Sequence, residues 1–229
     1  MTPIATKLPS TSNDTPFSDP ELYRSLVGSL QYLTITRPDL SYAVNRACQH
    51  MHAPMNSHFQ ALKRLLRFVK GSLHHGLLFQ HGPLQLTAYS DSDWAGDTID
   101  RKSTTGNCLY LGSNLISWSS KKQPTVAKSS IEAEYKALSV TAAEVVWIQQ
   151  ILSDLHISLS HTPLLWCDNI SSLSLATNPV FHARTKHVEV DYHFIREKIG
   201  HKQLQIAHIS SIDQLADLFT KPLSTARFQ

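Results

Sequence analysis

The apolar residues of this chain change period once, and that change constrains the fold more than any other feature. Before Gly71 they recur at helical spacing. From Leu84 they alternate, and short alternating runs then interleave with longer helical ones. Asp19-Pro20-Glu21 reads as a helix start, with an N-cap, a proline in the first turn and an early acid. Leu22, Leu26, Leu30 and Leu33 follow as an apolar stripe. Pro38 interrupts, and Asp39 is placed to cap a second helix carrying Ala43, Val44, Ala47 and Met51. A third helix is expected from about Ser57 to Lys70, with Phe59, Leu62, Leu66 and Val69 facing inward. Lys63, Arg64, Arg67 and Lys70 crowd its other face, either as a solvated surface or toward a phosphate backbone.

After Gly71 and Gly76 the signal becomes β. Leu84, Leu86 and Ala88 alternate with Gln85, Thr87 and Tyr89. Residues 106–120 read as two strands about a Gly112-Ser113-Asn114 turn. Ser129 and Glu132 fit a capping box that opens a long helix, whose periodic face runs Glu134, Leu138, Thr141, Val145, Ile148, Leu152. A short strand (163–168), a short helix (170–177), a further helical stretch (186–200), a strand (204–210) and a last helix (211–220) complete the pattern. The order β-β-β-α-β-α-α-β-α gives an α/β fold with a mixed five-stranded sheet, flanked by helices and preceded by a small helical segment. The division expected is a flexible leader over 1–18, a helical segment over 19–80 and the sheet domain over 84–223.

Composition narrows the class. A net charge of +3 is compatible with a nucleic-acid partner and far from proof of one. No apolar run reaches the ~20 residues of a membrane span, and the first residues lack the apolar core of a secretory signal. Cys48, Cys108 and Cys167 are widely spaced and read as reduced, mostly buried thiols. An intracellular protein, cytoplasmic or nuclear and not secreted, is expected. The histidines show no His-Glu-x-x-His, and His182, His187 and His193 form no helical pair, so they read as surface residues. Trp118 and Trp147 read as core.

The acids carry the chemistry. Asp91 falls at the end of the first strand, Glu134 on the apolar face of the long helix, Asp168 at the end of a strand and Asp217 inside the last helix. Alone, each has an ordinary explanation as a turn, cap or solvated residue. Together they converge on one edge of a sheet, where carboxylates repel unless cations neutralise them. Hard oxygen donors without His or Cys suit Mg²⁺ or Mn²⁺. Two such ions ~3.5–4 Å apart support in-line phosphodiester hydrolysis.

Six motifs then fall in order: AYSDSDWAGD, RKSTTG, ISWSSKKQPTVAKSSIEAEY, WCDN, TKHVEVDYHFIREKI and QLADLFTKPL. They resemble the ribonuclease H region at the C-terminus of Ty1/copia-type retrotransposon Pol polyproteins. YRSLVGSLQYLTITRPDLSYAVN and ALKRLLRFVKGSLHHGL resemble the thumb or connection segment between the reverse-transcriptase palm and ribonuclease H, and TPIATKLP the junction before it. The resemblance implies a ribonuclease H-like fold and a two-metal-ion nuclease that cuts the RNA strand of RNA–DNA hybrids. Two Mg²⁺ ions, with Mn²⁺ as a substitute, would be held by Asp91, Glu134, Asp168 and Asp217. The absent palm region is a further expected partner.

Asp93 lies on the same strand face as Asp91 and is an alternative to it. Glu132 competes with Glu134 but is explained by the capping box, and Asp213 competes with Asp217 but is placed to cap. His208 falls inside a strand, against a mobile role in product release. Trp94, Ser103, Thr104, Lys121, Lys122, Lys128, Asn169, Arg184, Lys186 and His187 are the substrate-contact candidates. The chain has no Tyr-x-Asp-Asp, so no polymerase activity is expected of it, and it has neither a Gly-rich phosphate loop nor the zinc-binding His/Cys set of an integrase. The acid order also differs from the D-D-E of integrases. A silent nucleic-acid-binding remnant and a DNA nuclease on the same fold remain as alternatives.

Overall fold

Asp19 starts the first helix as its sequence requires: the carboxylate accepts from Leu22 N at 2.9 Å, and Pro20 occupies the first turn. The structure, a computed structural model, describes residues 2–6, 14–177 and 189–228. Contacts divide the chain into two units, Met1–Leu77 with Lys221–Gln229, and Leu78–Thr220.

The first unit holds α1 (Pro20–Leu33), α2 (Ser41–Cys48) and α3 (Asn56–Lys70). Its core is Tyr23, Val27, Leu30, Leu40, Ala43, Val44, Leu62 and Leu65. The buried face of α1 is rotated by one residue from the expected stripe. Tyr23 is fully buried and donates to Ala47 O, while Leu22 is exposed. A large ring with a satisfied hydroxyl buries more apolar area than the leucine beside it. Asp39 does not cap α2. Its carboxylate is bound by Arg37 at 2.7 Å, and Pro38–Leu40 forms a 3-10 turn that leads into the helix. Within the expected flexible leader, residues 14–17 are pinned. Asp14 accepts from Ser57 N and from its hydroxyl, Phe17 N donates to Pro54 O, and Phe17 stacks on Phe59. Asp14 thus supplies, from outside the helix, the acceptor that the start of α3 lacks locally.

The second unit is one five-stranded sheet with helices against it. Strands β1 (Leu86–Asp93), β2 (Thr104–Leu111) and β3 (Asn114–Lys122) are antiparallel, while β4 (Leu164–Cys167) and β5 (Gln205–His208) run parallel to β1. The sheet order is β3-β2-β1-β4-β5, the mixed sheet expected. The turn between β2 and β3 needs glycine: Gly112 has φ +61°, and a Cβ there would lie 2.7 Å from Pro83 O. Helices α4 (Ser130–Asp154), α5 (Ile170–Thr177) and α6 (Glu189–Gly200) link the later strands. Leu138, Thr141, Val145, Ile148 and Leu152 of α4 are all buried, as its period requires. Leu138, Val145, Ile148 and Leu152 pack with Leu86 and Ala88 of β1, Leu109 of β2, Leu165 of β4 and Ile195 of α6. Trp147, expected in the core, is 57% exposed on α4, because Val145 and Ile148 already fill the inward positions beside it.

The last expected helix is absent. Residues 211–220 hold only a 3-10 turn, Leu215–Phe219. Gln214 is extended (φ −71°, ψ 103°) and its side chain accepts from Ala216 N, so Gln214 and not Asp213 caps the turn. Helix α7 (Thr225–Phe228) belongs to the first unit, where Phe228 meets Phe68 edge-on. Among the described residues no helix is long and apolar enough to cross a membrane.

Candidate metal and nuclease site

Parallel pairing of β1 with β4 sets Ser90 beside Cys167, so Asp91 and Asp168 extend from neighbouring strands at one end of the sheet. Asp91 is 2% exposed and its Oδ2 accepts from the Thr220 hydroxyl. Glu134 lies in the second turn of α4, buried, with Oε1 accepting from Ser92 N at 3.3 Å. Asp168 follows β4 directly, is partly exposed, and accepts from the Ser211 hydroxyl at 2.8 Å. Asp217 lies in the 3-10 turn and is 1% exposed.

That turn reaches the sheet because of two residues. Gln214 Nε2 donates to Ser90 O at 3.0 Å, tying the turn to β1. Gly106, paired with Asp91 across β1 and β2, leaves the space above it open. A Cβ at Gly106 would meet Thr220 Cγ2 at 2.6 Å, Phe219 Cβ at 2.8 Å and Ala216 O at 3.0 Å. Glycine there admits the whole segment that carries Asp217.

Donor atoms of Glu134, Cys167 and Asp168 lie within 4.8 Å of one another. Two unit charges at that distance repel by roughly 3 kcal/mol at an effective dielectric of about 20. Burial pushes the Cys167 thiol far above its ordinary range, and the charges of Glu134, Asp168 and Asp91 push it the same way. Carboxylate oxygens such as those of Glu134 and Asp168 are donors a hard divalent cation such as Mg²⁺ takes, and among the described residues these two are grouped with Cys167.

The other candidates separate by their partners. Asp93 accepts from Thr104 N and packs where a Gly96 Cβ would stand, so its carboxylate closes the mouth of the β1–β2 loop. Glu132 accepts from Lys128 N at 2.9 Å and pairs with Lys136 at 2.8 Å, while Ser129 accepts from Glu132 N. Its carboxylate therefore reaches one residue further back than a standard capping box. Lys122 is held by Asp97 at 2.7 Å and Asp100 at 3.0 Å. Ser103 is buried and accepts from Ala95 N; Thr104 is buried in β2. Asn169 caps α5 by accepting from Ser172 N at 3.0 Å. Trp94 is half-exposed, its Nε1 donating to Ala127 O. Lys121 and Lys128 are exposed, as is His208 at the end of β5. Arg184, Lys186 and His187 lie outside the described residues.

Thr220, Gln214 and Gly106 were not singled out from the sequence, and Cys167 was read only as a buried thiol. All but Gly106 and Cys167 lie in QLADLFTKPL, whose order around Asp217 was their signal.

No family model matches the chain. Over its whole length it is 53% identical to the retrovirus-related Pol polyprotein from transposon RE2 of Arabidopsis thaliana. Over 94% of its length it is 52% identical to that from transposon RE1 of the same plant. It is also 38% identical, over 90% of its length, to the Pol polyprotein from transposon TNT 1-94 of Nicotiana tabacum. The chain spans 16%, 15% and 16% of these relatives. Among solved structures, the N-terminal RNase H domain of rv2228c from Mycobacterium tuberculosis aligns with a TM-score of 0.45 at 10% identity, over 60% of this chain and 91% of that one. LC11-RNase H1 in complex with an RNA/DNA hybrid aligns at 0.43 and 14%, over 59% and 94%. Overlaps this loose carry no argument about the site, whereas the three sequence matches each cover 90% or more of the chain. The chain is thus similar, over 90% or more of its length, to one stretch of the retrovirus-related Pol polyproteins of copia-type transposons.

Proposed function

We propose that the Leu78–Thr220 unit hydrolyses the RNA strand of RNA–DNA hybrids, with two Mg²⁺ ions, or Mn²⁺ in their stead, held by Asp91, Glu134, Asp168 and Asp217. The observation that carries this reading is the linkage of the four acids. Thr220 and Gln214 tie the Asp217 turn to Asp91 and Ser90, Ser92 N holds Glu134, and Glu134 lies beside Asp168. When bound, the ions activate the attacking water and stabilise the leaving oxygen. The protein's own part is positional. The Thr220 hydroxyl fixes one oxygen of Asp91, the Ser92 amide fixes one of Glu134, and the Ser211 hydroxyl fixes one of Asp168. Each bond removes a rotation that ion binding would otherwise have to restrict.

Lys121, Lys128 and Trp94 are the exposed groups available to meet phosphates and stack on sugars or bases. Ser103, Thr104, Lys122 and Asn169 serve the hybrid indirectly in this reading, by holding the loops that bear on it. The helical segment 19–80 is read as a counterpart of the thumb or connection, with the polymerase palm as its partner.

The test is to incubate the purified chain with labelled RNA–DNA hybrid, RNA duplex and DNA duplex, with and without Mg²⁺. Metal-dependent loss of RNA from the hybrid alone is the expected result. Cleavage of DNA duplex would make it a DNA nuclease, and cleavage of nothing would make it a silent nucleic-acid-binding remnant.

A further inference from the structure

We infer that Glu134, Cys167 and Asp168 form a mixed carboxylate–thiol site for a thiophilic divalent cation of the Zn²⁺ or Cd²⁺ class. One oxygen of each acid and the Cys167 Sγ lie within 4.8 Å of one another. Around a tetrahedral ion with bonds of ~2.0–2.3 Å, donors stand roughly 3.5 Å apart. The remaining gap is about 1 Å, within reach of small side-chain rotations.

The frame that holds these donors is rigid. Cys167 ends β4, which is paired on both sides, and is fully buried. Glu134 is fixed to Ser92 N and belongs to a helix packed on the sheet. Asp168, partly exposed, gives an ion its way in.

Sulfur changes which ion is preferred. Mg²⁺ takes hard oxygens and keeps its waters, whereas a thiolate selects Zn²⁺ and its softer congeners. As the metal–sulfur bond forms, the thiol proton passes to the buffer. Two carboxylates and one thiolate over-neutralise a divalent ion, and a water completes the tetrahedron. The ion site rests on the three donors alone. Its consequence, that a thiophilic ion displaces Mg²⁺ from Glu134 and Asp168 and stops the reaction, rests on the nuclease reading above.

Cd²⁺ is the probe, added to the full chain, with the ultraviolet thiolate-to-cadmium absorption as the readout. We expect one band saturating at one Cd²⁺ per chain. It persists in Cys48→Ser, which removes the partly exposed thiol of the other unit. It disappears in Cys167→Ser, and Asp168→Asn weakens the affinity at least about tenfold. No band in the parent, a band that survives Cys167→Ser, or an unchanged affinity in Asp168→Asn overturns the site. Should Cys167→Ser fail to fold by circular dichroism, Asp168→Asn, altered at a partly exposed position, decides alone. In a second arm, Zn²⁺ is titrated into the Mg²⁺-supported cleavage. The half-inhibiting concentration rises at least about tenfold in Cys167→Ser if the ions compete. A parent that cleaves no hybrid overturns the nuclease reading and leaves the cadmium band to judge the ion site.

Discussion

Asp168 stands apart from the other three acids because it is partly exposed and leans on a single hydroxyl, that of Ser211. Removing its charge relieves repulsion with Glu134 without opening a cavity. Asp168→Asn is therefore expected to abolish hybrid cleavage, preserve the circular dichroism spectrum and raise the melting temperature by a few degrees. That follows from about 1 kcal/mol of relieved repulsion after screening. Full activity in this variant would remove Asp168 from the site. Asp97 makes a different prediction. Burial works against its charge, but Lys122 and the amides of Ile99 and Asp100 outweigh it and hold the carboxyl down to about 2, below the usual 3.8. The folded state therefore takes up this proton later than the unfolded one as pH falls. The stability it contributes is complete above about pH 4 and lost toward pH 2. Urea unfolding between those limits is expected to fall less steeply in Asp97→Asn than in the parent.

The elements that could be read from sequence are those whose reason is local. The face of α4 from Leu138 to Leu152 was legible because 3.6-residue periodicity is a property of one helix. Glu134 was legible for the same reason, as the one acid on that face. The 3-10 turn was not. Leu215, Ala216, Leu218 and Phe219 look like a helical stripe, but the backbone follows the bonds of Gln214 to Ser90 O and Ala216 N, one of them 124 residues distant in sequence. Gly106 was equally silent, since nothing in RKSTTG states what will lie above it. Trp147 misled because an aromatic residue between buried neighbours reads as core, although a helix face has room for only some of them. Gly106→Ala tests the close approach directly. Its methyl group must displace Phe219 and Thr220, so a loss of about 1–3 kcal/mol in denaturant stability is expected. Cleavage should fall with it, because Asp217 rides on the displaced segment.

At the scale of the molecule, the two hydrophobic cores share no residue among the described residues. Cooperativity follows shared packing, so two unfolding transitions are expected by scanning calorimetry. Leu62→Ala, at a cost of about 2–5 kcal/mol, is expected to lower one and leave the other in place. A single transition that moves as a whole would show that the units unfold as one.

The bond from Thr220 to Asp91 joins residues 129 apart in the chain. Translation proceeds at about 5–20 residues per second, so Asp91 waits on the order of ten seconds for its partner to be made. Glu134 and Asp168 are made during that interval, and the sheet stands without the turn that carries Asp217 until its end. If the unit is the nuclease proposed above, it holds all four of its acids only once Leu215–Phe219 and Thr220 have been synthesised and have closed over Gly106.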